Sequence, residues 1–520
     1  MTKTFDAKKL EDFLVKPDRI INPFFTGREN LLFRIEIKSK IVSNNHQEKY
    51  MDASAEGMTQ VIQGPPGVGK TSVLKKIRMN CIEQLNDEKE RYKTIPVMIN
   101  ESKSLSLDYI RKRIHDTIDE LVTDISVDGV KDMIRTSLGA VSSVSALGVG
   151  ISINQSNKPK PMVPPNYTVM LLIDEVQTIP GDEHSDAAKA LLRLHSGSNG
   201  YPILPVLAGL ANSRIVLQQV GISRFEEGAV QNLQPLSPPE VKESLGKFVD
   251  YFNVRTIPEI TSDWGDRIGG WVDGWPKHLE NTMVRALGRE LLKTDGNLAA
   301  VDPHTVKRNA ALIRADYYNT RFGPFYSTPR IIGEIMADIG PIPREGEEIR
   351  TIINKTLKKP QWAELVSDPD LPRLNFNFLL HYGLINHIDS PTIHRFKCPI
   401  PSLQSFSVAS TGSPLHTSAY AGLDDEIKAC LSDGYDINGI DAWRRTPLHI
   451  AAENNWDKVT SLLLKKGADP HLRDHRNRLP QDLAKKGSYT QKLIIKAANL
   501  RPASAPNRDY DDDFNPSQGF

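Results

Sequence analysis

The first half of the chain alternates short apolar runs with longer stretches of helical period. Gln60-Val61-Ile62-Gln63 and residues 95–100, 169–173 and 203–208 read as strands, and residues 4–14, 29–42, 70–85 and 107–135 as helices. The run 169–173 is apolar throughout, which predicts a strand covered on both faces. Strands alternating with helices predict an α/β parallel sheet. Residues 137–165, rich in Ser, Gly, Val, Asn and Pro, predict a loop or small hairpin. After Leu236-Ser237-Pro238-Pro239 the pattern is mostly helical as far as residue 400. It ends with a helix over 370–382, a strand over 384–388, a turn at Asp389-Ser390-Pro391 and a strand over 392–398, the ending of a winged helix. A linker is expected at Val408-Ala409-Ser410-Thr411-Gly412.

Beyond it the pattern repeats. SPLHTSAYAG begins at Ser413, TPLHIAAENN 33 residues later at Thr446, and LPQDLAKKG 33 further at Leu479. Gly434 and Gly467, Asp436 and Asp469, and Asp441 and Asp474 keep the same offset. A 33-residue period with TPLHxAA resembles ankyrin repeats over 413–500. That resemblance implies helix pairs and a concave face that binds protein. Two full repeats and a partial cap fall short of the roughly three needed for stability. The array therefore either stacks on the preceding domain or is completed by a partner. Residues 501–520, with four aspartates and few apolar residues, predict a disordered acidic tail.

Composition narrows the classes. The 520 residues correspond to roughly three to five domains. Lys and Arg number 65 against 64 Asp and Glu, a net charge of +1, which excludes a basic nucleic-acid coat or an acidic solvating chain. With 39% apolar and 25% charged residues the chain can build packed cores. Cys81, Cys398 and Cys430 are far apart, which argues against a disulfide framework or zinc site and for a reducing compartment. The N-terminus lacks the apolar core of a signal peptide, and no run is long enough to span a bilayer. The expected location is cytoplasmic.

Gly64-Pro65-Pro66-Gly67-Val68-Gly69-Lys70-Thr71, followed by Ser72, matches GxxxxGK[ST] between a predicted strand and a predicted helix. Glycines let backbone N–H groups turn inward around a phosphate, and the helix N-terminus adds its positive end. Lys70 is placed to neutralise β/γ oxygens, and Thr71 to offer a hydroxyl to Mg²⁺. The apolar strand 169–173 ends in Asp174-Glu175, where Asp174 can order the metal and Glu175 can activate water. This pairing predicts ATP binding and hydrolysis.

Further residues carry a family resemblance. Pro23-Phe24-Phe25-Thr26-Gly27-Arg28-Glu29 resembles the F-x-GRE segment of origin-recognition and STAND ATPases of the AAA-like class, which implies Arg28 close to the adenine. Asp174-Glu175-Val176-Gln177 looks like the DE-x-Q form of the Walker B strand in STAND-like and transposition ATPases. Leu207-Ala208-Gly209-Leu210-Ala211-Asn212-Ser213-Arg214 is similar to a sensor 1 strand end, with Asn212, Ser213 or Arg214 toward the γ-phosphate, and Arg224 stands where an arginine finger would be. Gly274-Trp275-Pro276 resembles the GxP motif that packs a lid on the nucleotide through Pro276. No Arg-based sensor 2 is evident, which favours STAND over origin recognition.

The resemblance implies a core over 1–237, a helical lid over 238–300, a winged-helix-like domain over 301–407, then the ankyrin repeats. The implied function is an ATP-driven switch coupling nucleotide state to protein-partner recognition or assembly, with homo-oligomerisation and, in bacteria, phage defence as its setting. A DNA-loading ATPase and a nucleotide-locked scaffold are the alternatives. The 370–382 helix holds Arg373 as its single Lys or Arg beside an apolar stripe, which disfavours DNA reading.

Overall fold

The computed structural model describes residues 4–15, 24, 26–47, 59–100, 105–126, 128–141, 167–180, 182–195, 202–210, 213–388 and 395–500. The chain forms two compact units. One comprises residues 1–310, 341–350 and 373–401, the other 311–340, 351–372 and 402–520.

The first unit holds a five-stranded parallel sheet. Its strands are β1 (Gln60–Gln63), β2 (Lys93–Ile99), β3 (Tyr167–Ile173), β4 (Ile203–Gly209) and β5 (Val230–Asn232), in the order β2-β3-β4-β1-β5. All seven residues of β3 are buried, as its unbroken apolar run requires. The edge strand β5 has no sequence signal, because its three residues include Gln231 and Asn232 and make no apolar run. Helix Lys70–Asn86 buries Val73, Leu74, Ile77, Cys81 and Leu85 at helical spacing, which seats it on the sheet.

The helical stretch expected over 107–135 is two helices, Leu107–Asp124 and Asp128–Val141, because Ile125 turns to an extended conformation. The second runs past residue 137, where a loop was expected; residues 142–166 lie outside the described residues.

Helix Pro238–Phe252 follows, opened by a capping box between Ser237 and Glu240 with prolines in its first turn. Then come Pro258–Val272 and Pro276–Glu280, which continues through a π-helical turn, Asn281–Leu287, into Gly288–Lys293. Phe13 of helix Ala7–Val15 packs with Phe24 and Phe252, and Phe24 packs in turn with Phe248. This cluster fixes the N-terminal segment on the helices that follow the sheet. The helix expected over 370–382 is confined to Phe376–His381, because the Asn375 side chain accepts the Phe378 N–H and so caps it. The antiparallel strands β6 (Arg344–Glu345), β7 (Asn386–His387) and β8 (Arg395–Lys397) pair in the order β6-β8-β7. The expected turn at 389–391 lies outside the described residues.

The second unit contains helix Pro329–Ile339, helix Leu403–Ala409 and three helix pairs: Pro414–Ala421 with Asp424–Ser432, Pro447–Glu453 with Asp457–Lys465, and Pro480–Leu483 with Tyr489–Leu500. The linker expected at 408–412 is not one. Val408 and Ala409 are fully buried in helix Leu403–Ala409, and the Thr411 hydroxyl accepts the Ala442 N–H at 2.8 Å. Helices Pro329–Ile339 and Leu403–Ala409 approach so closely that a Cβ on Gly333 would lie 2.3 Å from the Ser407 carbonyl. Trp443 Nε1 donates to the Ala337 carbonyl at 3.2 Å. The array stacks on the helices that precede it, as one of the two expected arrangements has it. The tail 501–520 lies outside the described residues. Among the described residues no helix is long and apolar enough to cross a membrane.

Candidate functional site

The site lies at the C-terminal ends of three parallel strands. The phosphate loop leaves β1, Asp174 leaves β3, and β4 runs between them. Gly67 and Gly69 have φ of 78° and 98°, conformations a side chain would strain, so the loop turns its amides inward only with glycine there. Lys70 is buried, and its ammonium donates to the carbonyls of Gly64 and Pro65, both at 2.9 Å. The Thr71 hydroxyl donates to Asp174 Oδ2 at 2.6 Å, while Asp174 Oδ1 accepts the Glu175 N–H at 2.9 Å. A buried carboxylate and a hydroxyl brought together beside a phosphate loop suit Mg²⁺, a hard cation that takes few protein oxygens. Among the described residues no group of three or more His, Cys, Asp or Glu could hold a metal.

Glu175 is exposed, with its backbone left-handed at φ 58° and ψ 37°. Its carboxylate accepts from Gln177 Nε2, and Gln177 Oε1 accepts the Leu210 N–H at 2.9 Å. The DE-x-Q spacing marks Gln177 but does not encode its contact with Leu210 beyond β4.

The N-terminal segment reaches the same unit. The Thr26 hydroxyl donates to the Glu240 carbonyl at 3.1 Å, and a Cβ on Gly27 would lie 2.3 Å from Glu240 Oε1. Arg28 donates to the carbonyls of Gly27, at 3.1 Å, and Gln234, at 2.5 Å. Burial lowers its pKa, against the opposing pull of Glu240 and Glu29.

The glycine and proline of Gly274-Trp275-Pro276 meet different parts of the chain. Gly274 has φ of 67° and would place a Cβ 2.0 Å from the Leu236 carbonyl. A Cβ on Gly69 would be 3.7 Å from Pro276, and the Lys277 N–H donates to the Gly67 carbonyl at 3.0 Å. A contact that sequence reasoning missed comes from Gly383, just after helix Phe376–His381. At φ 68°, a Cβ there would lie 2.1 Å from Pro66 Cγ. Only the glycine itself signals it.

The sensor candidates are less placed. Asn212 lies outside the described residues. Ser213 is buried, with its N–H donating to the Leu210 carbonyl at 2.8 Å. Arg214 and Arg224 are exposed, and among the described contacts neither meets the phosphate loop.

Residues 392–474 match the ankyrin-repeat family in three copies. The C-terminal part of the chain is an ankyrin-repeat array. Arrays of this kind are protein-interaction modules in general. The matched range begins ahead of Ser413 and stops short of the third helix pair. The chain is 42% identical to human transient receptor potential cation channel subfamily A member 1 over 93 residues, 17% of this chain and 8% of the channel subunit. It is 32% identical over 162 residues to an ankyrin and IPT/TIG repeat-containing protein of Schizosaccharomyces pombe, 31% of this chain and 13% of that one. The chain thus spans a small part of the length of the relatives it matches.

Among solved structures it is similar to the Aeropyrum pernix ORC1 protein in complex with DNA, with 14% identity, a TM-score of 0.40, and 81% of this chain and 97% of that one covered. A Walker-type ATPase of Pyrococcus abyssi matches with 14% identity and a TM-score of 0.39 over 73% and 95%. At such distances the chemistry of the site has to be read from its own geometry.

Proposed function

We propose that the chain is an ATP-binding and ATP-hydrolysing switch of STAND/AAA type, whose nucleotide state governs recognition of a protein partner through the ankyrin repeats. The observation that carries this reading is the grip on the phosphate loop from outside the sheet. Lys277 holds the Gly67 carbonyl, Pro276 faces Gly69, and Gly383 sits against Pro66. A loop that changes shape around phosphate cannot do so without moving what it touches.

In this reading Lys70 exchanges the carbonyls of Gly64 and Pro65 for β/γ-phosphate oxygens, so the ammonium is already desolvated where it is needed. Thr71 and Asp174 would hold Mg²⁺, which would supply charge neutralisation for the transferring phosphoryl group. Glu175 takes the proton of the attacking water. Arg28 and Pro276 border the base and the loop. Core 1–237 and lid 238–300 are proposed as expected, and the winged-helix-like and ankyrin parts keep the ranges 301–407 and 413–500, with helices Pro329–Ile339 and Leu403–Ala409 serving the repeats. The winged-helix assignment rests on helix Phe376–His381 followed by β7 and β8.

The test pairs nucleotide binding by calorimetry with phosphate release on the same preparation. Lys70→Ala is expected to lose ATP affinity, and equal affinity would remove the site assignment. Glu175→Gln is expected to bind ATP while hydrolysis falls about 10²–10⁴-fold; unchanged release would withdraw the base. Hydrogen exchange over residues 376–388, compared with and without ATP, tests the switch. Identical exchange would sink it.

A further inference from the structure

Gln177 has no part in the steps above, yet its amide joins two elements of the site. It lies in the one-turn helix Val176–Thr178 that follows β3. Its Oε1 accepts the N–H of Leu210, the first residue after β4, and its Nε2 donates to Glu175 Oε2. The orientation of the amide is settled by chemistry. A backbone N–H can only donate, so the amide oxygen must face Leu210 and the NH₂ must face the carboxylate. Gly209 leaves the room this needs, because a Cβ there would lie 2.8 Å from Gln177 Oε1 and 2.1 Å from Ser213 Oγ.

The rest of Glu175 is fixed through its backbone. Its N–H donates to Asp174, and its carbonyl accepts from the Thr178 N–H and hydroxyl, both at 2.9 Å. These bonds hold the left-handed turn at Glu175. The Gln177 amide acts on the carboxylate itself, and it ties that carboxylate to the end of the neighbouring strand.

We propose that Gln177 is a positioning residue of the hydrolytic reaction: it aims the Glu175 carboxylate and references that aim to the end of β4. The proposal rests on the reading of Glu175 as the base. A group acting this way changes how well the base is placed, and a displacement of about 1 Å can cost on the order of 10²-fold in rate. It should leave nucleotide affinity alone, because it touches neither the phosphate loop nor the Thr71–Asp174 pair.

The experiment measures phosphate release against ATP concentration, with Mg²⁺, for the full chain and for Gln177→Met, Glu175→Gln and the double variant Gln177→Met/Glu175→Gln. Methionine keeps the length and removes both hydrogen bonds. The expected result is a fall in kcat of about 10- to 100-fold with KM for ATP within about twofold of the parent. On the Glu175→Gln background the methionine should cost nothing further, because its whole effect passes through that carboxylate.

Parent kcat in Gln177→Met overturns the proposal. So does faster turnover, which would make the amide a restraint on the base. An equal further loss on the Glu175→Gln background would make the role merely structural. If Glu175→Gln itself matches the parent, the base assignment fails first and this proposal falls with it, an outcome that the single Glu175 variant identifies.

Discussion

Two arginines 33 residues apart provide an internally controlled test of what burial does to an ion pair. Asp441 Oδ1 accepts the N–H groups of Trp443 and Arg445, and its Oδ2 accepts the Arg445 guanidinium at 2.8 Å. Asp474 makes the same set with Arg476 and Arg478, the guanidinium at 2.9 and 2.7 Å. The difference lies in the surroundings. The Arg445 side chain is 1% exposed and also donates to Ser405 Oγ at 2.6 Å, the Ser405 carbonyl at 2.9 Å and Glu453 at 2.8 Å. Arg478 is 37% exposed.

Arg445→Met strands a buried carboxylate and removes donors from Ser405 and Glu453, a loss of about 3–5 kcal/mol. Arg478→Met leaves the buried Asp474 carboxylate without its guanidinium but with the N–H groups of Arg476 and Arg478, and the half-exposed arginine takes fewer other contacts with it, for a smaller loss of about 1–3 kcal/mol. Native-state hydrogen exchange in helix Pro447–Glu453 reads both, and Arg445→Met should lower protection by about two to four orders of magnitude. Equal losses in the two variants, or less than about tenfold for Arg445→Met, would refute the reasoning.

Acid should weaken the same unit. His416 Nδ1 accepts the Ser413 N–H and its Nε2 donates to the Gly439 carbonyl, both at 3.0 Å, and His449 repeats this with Thr446 and Arg478 at 3.2 Å. Burial holds both imidazoles below their ordinary value, so the unfolded chain takes up protons first. Their contribution is complete above about pH 6.5 and is lost as pH falls below it. Melting followed from pH 7.5 to 5 should show this, and a His416→Gln/His449→Gln variant should show a flatter dependence. Burial raises the Cys81 thiol to about 12, so a thiol reagent should leave it unlabelled in the folded chain. Peptide mapping that finds Cys81 labelled before the part-exposed Cys398 would contradict this. Limited proteolysis should spare residues 403–412, where the backbone is helical or hydrogen bonded; early cleavage there would restore the linker.

The sheet was legible where burial on both faces left continuous apolar runs, as in β3, and where the phosphate loop marked the end of β1. Strand β5 was not, because an edge strand of three polar-leaning residues is made by its neighbour β1 and not by its own pattern. The 33-residue repeat was legible because its helix-start motif, turn glycines and aspartates recur together. Its neighbour in the fold was not: Val408 to Gly412 has the composition of a linker, and small residues serve equally well in loops and in close helix packing. At the site, the phosphate loop and Asp174 could be read from their spacing. Gln177 and Gly383 act through contacts with Leu210 and Pro66, which no local spacing encodes.

Repeat arrays are easily pictured as cassettes that recombination adds or removes at a seam. The seam here is not where the repeat begins. A splice at residue 412 would cut Ser405 away from Arg445, Thr411 from Ala442 and Ala337 from Trp443. The first repeat would then carry a buried guanidinium without two of its acceptors and a peptide N–H without its hydroxyl. An array inherited in that form would be burdened from the start. The heritable piece has to reach back through Leu403–Ala409 to Pro329–Ile339, so grafting these repeats onto another host means transplanting their foundation as well.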